Sequence, residues 1–419
     1  MIQLNFLLQI FLAVFLLRSA IQIYLHQLNI AHIQCHGKTV PEMFRDIIDP
    51  EKLKTISAYT VDSENFQNVV TQANQGLLLI LLFSGFLPWL VRTIGRWEYE
   101  LIPSGLMFFA GLSLFTNILR IPFSLYDTFV IEARYGFNVM SLKTWVSDFI
   151  KSLFLVTLLG GLLLSLLLAL IRHGGDTWWI WAWMLVGGFE LILLWLFPVV
   201  ILPLFNKFDR IDNKELEDRI TTLMEKVGIH TKGIFKMDAS KRTKHTNAFF
   251  VGLGRTKRIV LFDTLFISHT EEEMLAILAH EAGHWKKKHV IRMLIPLEIL
   301  SLVSLYVVAK LLNWPLLYHT FGFQEPVVYV GLFLIGIFFS LLGHFAQPLE
   351  SGISRRFELE ADDFARKLMG TGEPMCSALK RIAADNLANL TPHPLYAWFY
   401  YSHPPLVERI ERLTASNHG

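Results

Sequence analysis

Seven apolar runs, each near the roughly 20 residues a helix needs to cross a bilayer, divide this chain of 419 residues. They cover Leu4–Tyr24, Asn74–Val91, Pro103–Ser124, Phe149–Ile171, Trp178–Leu204, Val290–Leu312 and Val327–Gln347. Inside hydrocarbon every backbone amide must find its partner within the protein, so runs of this length fold as helices. Composition points the same way: 53% hydrophobic against 18% charged residues leaves too little polar surface for a soluble globule of this size. So apolar a chain collapses and does not stay disordered. Its cysteines are Cys35 and Cys376, too few for a disulfide framework or a thiolate cluster. A net charge of +2 carries no nucleic-acid signature. The chain reads as a polytopic membrane protein whose obligate neighbour is the lipid bilayer.

The first run lacks a basic residue ahead of it and is interrupted by Arg18, so it reads as an anchor and not a signal peptide. Orientation follows from Lys and Arg in the connections. The loop Asn313–Pro326 has none. Richer are the loops holding Lys38, Arg45, Lys52 and Lys54, then Arg134 and Lys143, and the long segment after the fifth run. Arg92 and Arg96 fit least well. The rule puts the N-terminus outside and the odd-to-even loops and C-terminal tail in the cytoplasm. Four segments result: residues 1–205 with five spans, 206–289 as the first part of a catalytic domain, 290–347 with two spans, and 348–419 as its second part. Arg18, Asn117, Arg120, Glu190, Glu298 and His344 lie inside spans; such groups face a protein interior or a wet cavity.

Chemistry concentrates in residues 270–288. Thr270 followed by Glu273 is a capping box that starts a helix; three acids in its first turn and Lys286–Lys288 beyond suit the helix dipole. Within it His280 and His284 are four apart and share a face. Glu281 lies where its carboxylate reaches a water on a shared metal without readily binding that metal itself. This is the HExxH arrangement of zinc peptidases. A catalytic zinc takes three protein ligands and keeps one position open. The third candidate is Glu358 or Glu360, in a stretch predicted as a helix just past the seventh run. Glu358 and Asp362 share a face, so one can bind metal while the other accepts a ligand histidine's N–H. Spacing alone does not separate Glu358 from Glu360. His245, His269 and His289 have no supporting pattern and read as bystanders.

The chain resembles the type I CAAX prenyl proteases, integral-membrane zinc enzymes related to the HtpX proteases. The matching stretches are Ser240–Lys241–Arg242, His245 to Phe250, Lys257 to Leu265, the HEAGHW helix, Arg356 to Asp362 and Tyr401 to Arg409. The resemblance implies a mainly α fold: a seven-helix membrane barrel around a chamber, capped by a cytoplasmic zinc-protease domain of helices plus a small β-sheet. It implies one zinc per chain, selects Glu358 as third ligand beside His280 and His284, and makes Asp362 the partner of a ligand histidine. It implies Glu281 and His403 as catalytic groups. It places Asn247 and Ala248 on an edge strand that pairs with substrate, and Arg409 against substrate near the scissile carbonyl. The implied activity is removal of the last three residues from prenylated CaaX peptides or proteins. A broader quality-control protease of HtpX type and a non-catalytic scaffold or transporter compete with it. The complete HExxH and Glu358 argue against the scaffold, and seven spans favour the CAAX branch. Compactness and the lack of a retrieval signal point to a bacterial inner membrane; a eukaryotic owner would place the chain in the endoplasmic reticulum membrane.

Overall fold

Helices dominate the computed structural model, which describes residues 3–231, 233–251 and 258–415; Lys257, the first residue of one matched stretch, lies outside them. Six helices are long and apolar enough to cross a membrane: Phe6–His36, Leu101–Arg134, Leu142–His173, Gly175–Phe205, His289–Leu311 and Val328–Met369. The seventh crossing is the pair Pro50–Phe83 and Phe86–Gly95, bent by 55°. The run expected as one span over Asn74–Val91 straddles that bend, because Gly85 stands at φ 81°. Without a Cβ, glycine takes this left-handed conformation at no steric cost, and the helix breaks there.

Val328–Met369 is 42 residues, or about 63 Å of helix. The acidic stretch expected just past the seventh span is therefore the continuation of that span's own helix. Glu358 and Asp362 are carried on the same helix as the last span, beyond the Pro348 inside it.

A helix in a close-packed bundle buries one face against its neighbours. In the apolar window of His289–Leu311 none of the residues is buried, and in Leu142–His173 only 6% are. These helices are wall elements with little of their surface packed against neighbours. A cluster including Phe11, Phe108, Tyr318, Phe321, Val330 and Leu334 closes one end. The catalytic segment lies at the other, since the helix from His289 to Leu311 spans about 34 Å between them. Polar side chains inside pair with one another: Ser19 Oγ donates to Gln75 Oε1 at 2.6 Å and Gln75 Nε2 to Gln22 Oε1 at 2.6 Å. Arg18 Nη1 reaches the Ser340 carbonyl at 3.4 Å, tying the first crossing to the last.

Outside the barrel sits a four-stranded sheet: β1 (Phe208–Arg210), β2 (Ile234–Met237), β3 (Ala248–Val251) and β4 (Arg258–Phe262), in the order β1-β2-β4-β3. Strand β4 runs parallel to β2 and antiparallel to β3. Its Ile259, Val260 and Leu261 are all buried, the uninterrupted apolar run of a strand covered on both faces. Strand β3 is left at an edge. Ile220, Ile259, Leu261 and Leu278 share one core with Ala365 and Ala378. The polar segments on either side of the last two spans thus pack as one body.

Candidate metal centre

The helix Glu271–Lys286 begins with the capping box read from the sequence: Thr270 N donates to Glu273 Oε2 at 2.8 Å and Glu273 N to Thr270 Oγ1 at 3.3 Å. Glu273 also accepts from Ser377 Oγ at 2.6 Å and Arg381 Nε at 3.0 Å, and Arg219 Nη1 holds Glu271 at 2.9 Å. The helix start is thus clamped from two sides. Gly283 sets the distance to the long helix. A Cβ there would lie 3.0 Å from Ala361 Cα and 3.2 Å from its carbonyl oxygen, closer than backbone atoms can yield. Glycine lets the two backbones touch, and that brings Glu358 to the histidines.

His280 Nε2 and His284 Nε2 are 3.1 Å apart; Glu358 Oε2 lies 3.3 Å from the first and Oε1 3.2 Å from the second. Bonds of about 2.0–2.1 Å to a tetrahedral zinc put ligand atoms roughly 3.3 Å from one another; one ligand atom from each of the three residues lies within 4.8 Å of the others, with one Glu358 oxygen facing each ring, so the group is gathered closely enough to hold the ion. Glu358 Oε2 is buried and makes no hydrogen bond, the state of a carboxylate oxygen whose partner is a metal. Two imidazoles and a carboxylate are also the donor set of catalytic zinc sites. Glu360 points away, accepting from Arg292 Nη1 at 2.7 Å.

Without metal, His280 holds a proton in its place. Burial pushes its pKa down, but the Asp362 and Glu358 carboxylates outweigh burial and bring it to about 9. Glu281 lines the same cavity of about 690 Å³, and burial raises its carboxyl above the ordinary range against the pull of both histidines. A carboxyl moved toward neutrality suits a general base. His403 Nε2 lies 3.4 Å from Glu358 Oε1. Its side chain is 62% exposed; partial desolvation lowers its pKa, with Glu358 opposing.

Asp362 Oδ1 receives His280 Nδ1 at 2.8 Å. The Arg409 guanidinium holds the same carboxylate, with its Nη1 3.7 Å from Glu358 Oε2. Arg409 does line the cavity, but it is buried with Nε and Nη2 both spent on Asp362. Asn247 O accepts from Phe262 N at 3.0 Å, so alternation turns the Ala248 amide outward from the sheet. That N–H is held at 2.8 Å by the side chain of Asn247 itself. His289, read as a bystander, touches the centre: its Nδ1 lies 3.0 Å from His284 Nδ1. No helical spacing announces it, because Lys288 at φ 56° breaks the helix between the two histidines.

Two family models match in succession. One, described as CAAX prenyl protease N-terminal, five membrane helices, covers residues 29–207, and peptidase family M48 covers residues 210–417. The CAAX prenyl protease 1 homologue of Arabidopsis thaliana is 34% identical over 384 residues, covering 90% of each chain. The chain belongs to the CAAX prenyl protease 1 family of M48 peptidases. The human homologue is 32% identical over 424 residues, covering 89% of this chain and 88% of its own. The crystal structure of Saccharomyces mikatae Ste24p superposes with a TM-score of 0.91 at 30% identity, over 96% of this chain and 97% of that one. As a CAAX prenyl protease 1 family member the protein is a multi-pass membrane metalloendopeptidase, and these relatives favour neither the HtpX nor the scaffold alternative. They are eukaryotic, from plant, animal and fungus, so the bacterial inner-membrane expectation is not borne out. Compactness and a missing retrieval signal record helix packing and tail sequence, neither of which reports the compartment.

Proposed function

We propose that this metallopeptidase removes the last three residues of prenylated CaaX substrates at the endoplasmic reticulum membrane, using one zinc held by His280, His284 and Glu358. The observation that carries the reading is the convergence of His280 Nε2, His284 Nε2 and a Glu358 oxygen within 4.8 Å of one another, with Glu281 beside them in an open cavity. When bound, zinc supplies Lewis acidity toward the scissile carbonyl and makes a nearby water easier to deprotonate.

Glu281 takes the proton from the attacking water and delivers it to the departing amine. His403 is positioned to donate to the developing oxyanion. Asp362 fixes the His280 ring, and Arg409 fixes Asp362. Substrate adds as a strand along Asn247–Ala248, displacing the Asn247 side chain from the outward Ala248 amide. The opposite wall of the cavity includes Leu265, Ile277, Met375, Leu379 and Ile382, an aliphatic surface matched to the aliphatic residues of a CaaX tail. The open barrel beneath gives a prenyl chain an apolar place to lie.

The test is hydrolysis by purified protein of matched prenylated and unprenylated peptides, with mass spectrometry of the products. The expected cut leaves the modified cysteine with a free carboxylate and is much faster on the prenylated peptide. Equal cleavage of both, or cuts scattered along the peptide, counts against the CaaX reading.

A further inference from the structure

We infer that His289 is a positioning residue of the metal centre, which with Glu360 and Arg292 orients His284 as Asp362 and Arg409 orient His280. The inference rests on the zinc reading above. Both ligand histidines present Nε2 to the triangle, so each carries its proton on Nδ1 and needs an acceptor there. His280 Nδ1 has Asp362 Oδ1 at 2.8 Å. His284 Nδ1 has His289 Nδ1 at 3.0 Å.

Two ring nitrogens at that distance require one proton and one lone pair between them. The lone pair of His284 belongs to Nε2, so its Nδ1–H donates and His289 Nδ1 accepts. A neutral His289 then carries its own proton on Nε2, which faces Glu360 Oε2 at 3.2 Å. Glu360 in turn accepts from Arg292 Nη1 at 2.7 Å and lies 3.3 Å from Arg356 Nε. Every proton in the chain has a place, and a carboxylate backed by arginine stands at its end. That is the device at His280 with one imidazole inserted.

The ring of His289 is fixed to match. It is buried and lies parallel to Phe357, centroids 4.3 Å apart at 2°; the Arg292 guanidinium sits 4.4 Å from the same phenyl ring. Lys288, left-handed at φ 56°, folds the start of the sixth crossing back over the HEAGH helix. His284 is also the more open ligand, its side chain 25% exposed against 7% for His280, and so the one with more freedom to lose.

The test is zinc affinity by chelator competition on the full chain in detergent, with metal-free thermal midpoint and peptidase kinetics alongside. His289→Phe keeps the stacked ring and removes the acceptor. It should weaken zinc binding by about 10–100-fold with little change in the metal-free midpoint; at saturating zinc KM should hold while kcat falls. In His289→Asn, Oδ1 occupies the place of Nδ1 and should restore most of the affinity. His289→Gln, whose polar group sits where Nε2 was, should not. Wild-type affinity in the Phe variant overturns the inference. If that variant fails to fold, equal affinities in the Asn and Gln variants overturn it, and tight Asn with weak Gln sustains it. A wild-type chain that takes up no zinc overturns the zinc reading as well, which separates the two failures.

Discussion

Arg409 holds Asp362 through two parallel hydrogen bonds, Nε to Oδ2 at 2.8 Å and Nη2 to Oδ1 at 2.7 Å, with both side chains buried. Asp362 Oδ1 also receives His280 Nδ1, so a residue of the C-terminal helix Leu406–Ala415 reaches the metal centre through one carboxylate. The fork geometry belongs to arginine; lysine offers a single point charge.

Arg409→Ala leaves Asp362 charged and buried without its partner, a loss of about 3–5 kcal/mol where such pairs have been broken. The expected result is a lower thermal midpoint together with lost zinc. Arg409→Lys should recover part of the midpoint and little of the zinc affinity. A variant that keeps both would show that Arg409 serves substrate and not Asp362.

Glu281→Gln separates chemistry from structure. The capping box and the ligand triangle are untouched, so zinc content and midpoint should match the wild type and peptide should still bind. Turnover should fall by about 10²–10⁴-fold, the contribution of a positioned base. Near-normal hydrolysis would remove Glu281 from the mechanism.

Much of this site was legible in the chain. His280 and His284 fall four apart in a helix whose capping box is visible in Thr270 and Glu273, and local geometry fixes both. Glu358 needed the family resemblance, because its separation from the histidines is tertiary and only Gly283 against Ala361 brings it close. His289 was missed for a like reason: its contact depends on one left-handed residue, and no spacing rule foretells that. Arg409 lines the expected cavity, but its hold on Asp362 was not legible, since sequence shows a charge and not the carboxylate buried beside it. The bend at Gly85 was hidden inside an apolar run that hydropathy reads as continuous.

The pH dependence of stability should differ with and without metal. The His280 pKa rises from 6.5 to about 9 on folding, so its protonated form stabilises the metal-free fold fully below pH 6.5, and that contribution is lost as pH climbs through 9. His269 and His403 move downward and are neutral in both states above about pH 7.5; the Cys376 thiol, pushed up to about 11, adds a loss of the same sign only as pH nears 9. Zinc needs the neutral imidazole, so its own contribution grows over the same range. Thermal midpoints at pH 7, 8 and 9 should fall in chelator, and the gap between zinc-loaded and metal-free protein should widen. A metal-free midpoint that rises from pH 7 to 9 would contradict the charge assigned to His280.

The native cysteines offer a test of topology. Asn5 Nδ2 donates to Thr320 Oγ1 at 2.9 Å, so the helix Phe6–His36 begins beside the loop Asn313–Pro326. Its 31 residues rise about 46 Å, more than the roughly 30 Å hydrocarbon thickness, and deliver Cys35 to the side of the catalytic segment. Cys35 is exposed there; Cys376 is buried, and burial pushes its thiol up to about 11, where little reactive thiolate exists at neutral pH. A membrane-impermeant maleimide should label Cys35 from the cytoplasmic side and reach Cys376 only in denaturant. With Cys35 replaced, Gln324→Cys should label from the opposite side. Labelling of Cys35 and of the residue 324 variant from one face would break both the crossing parity and the barrel that brings the two halves of the metal centre together.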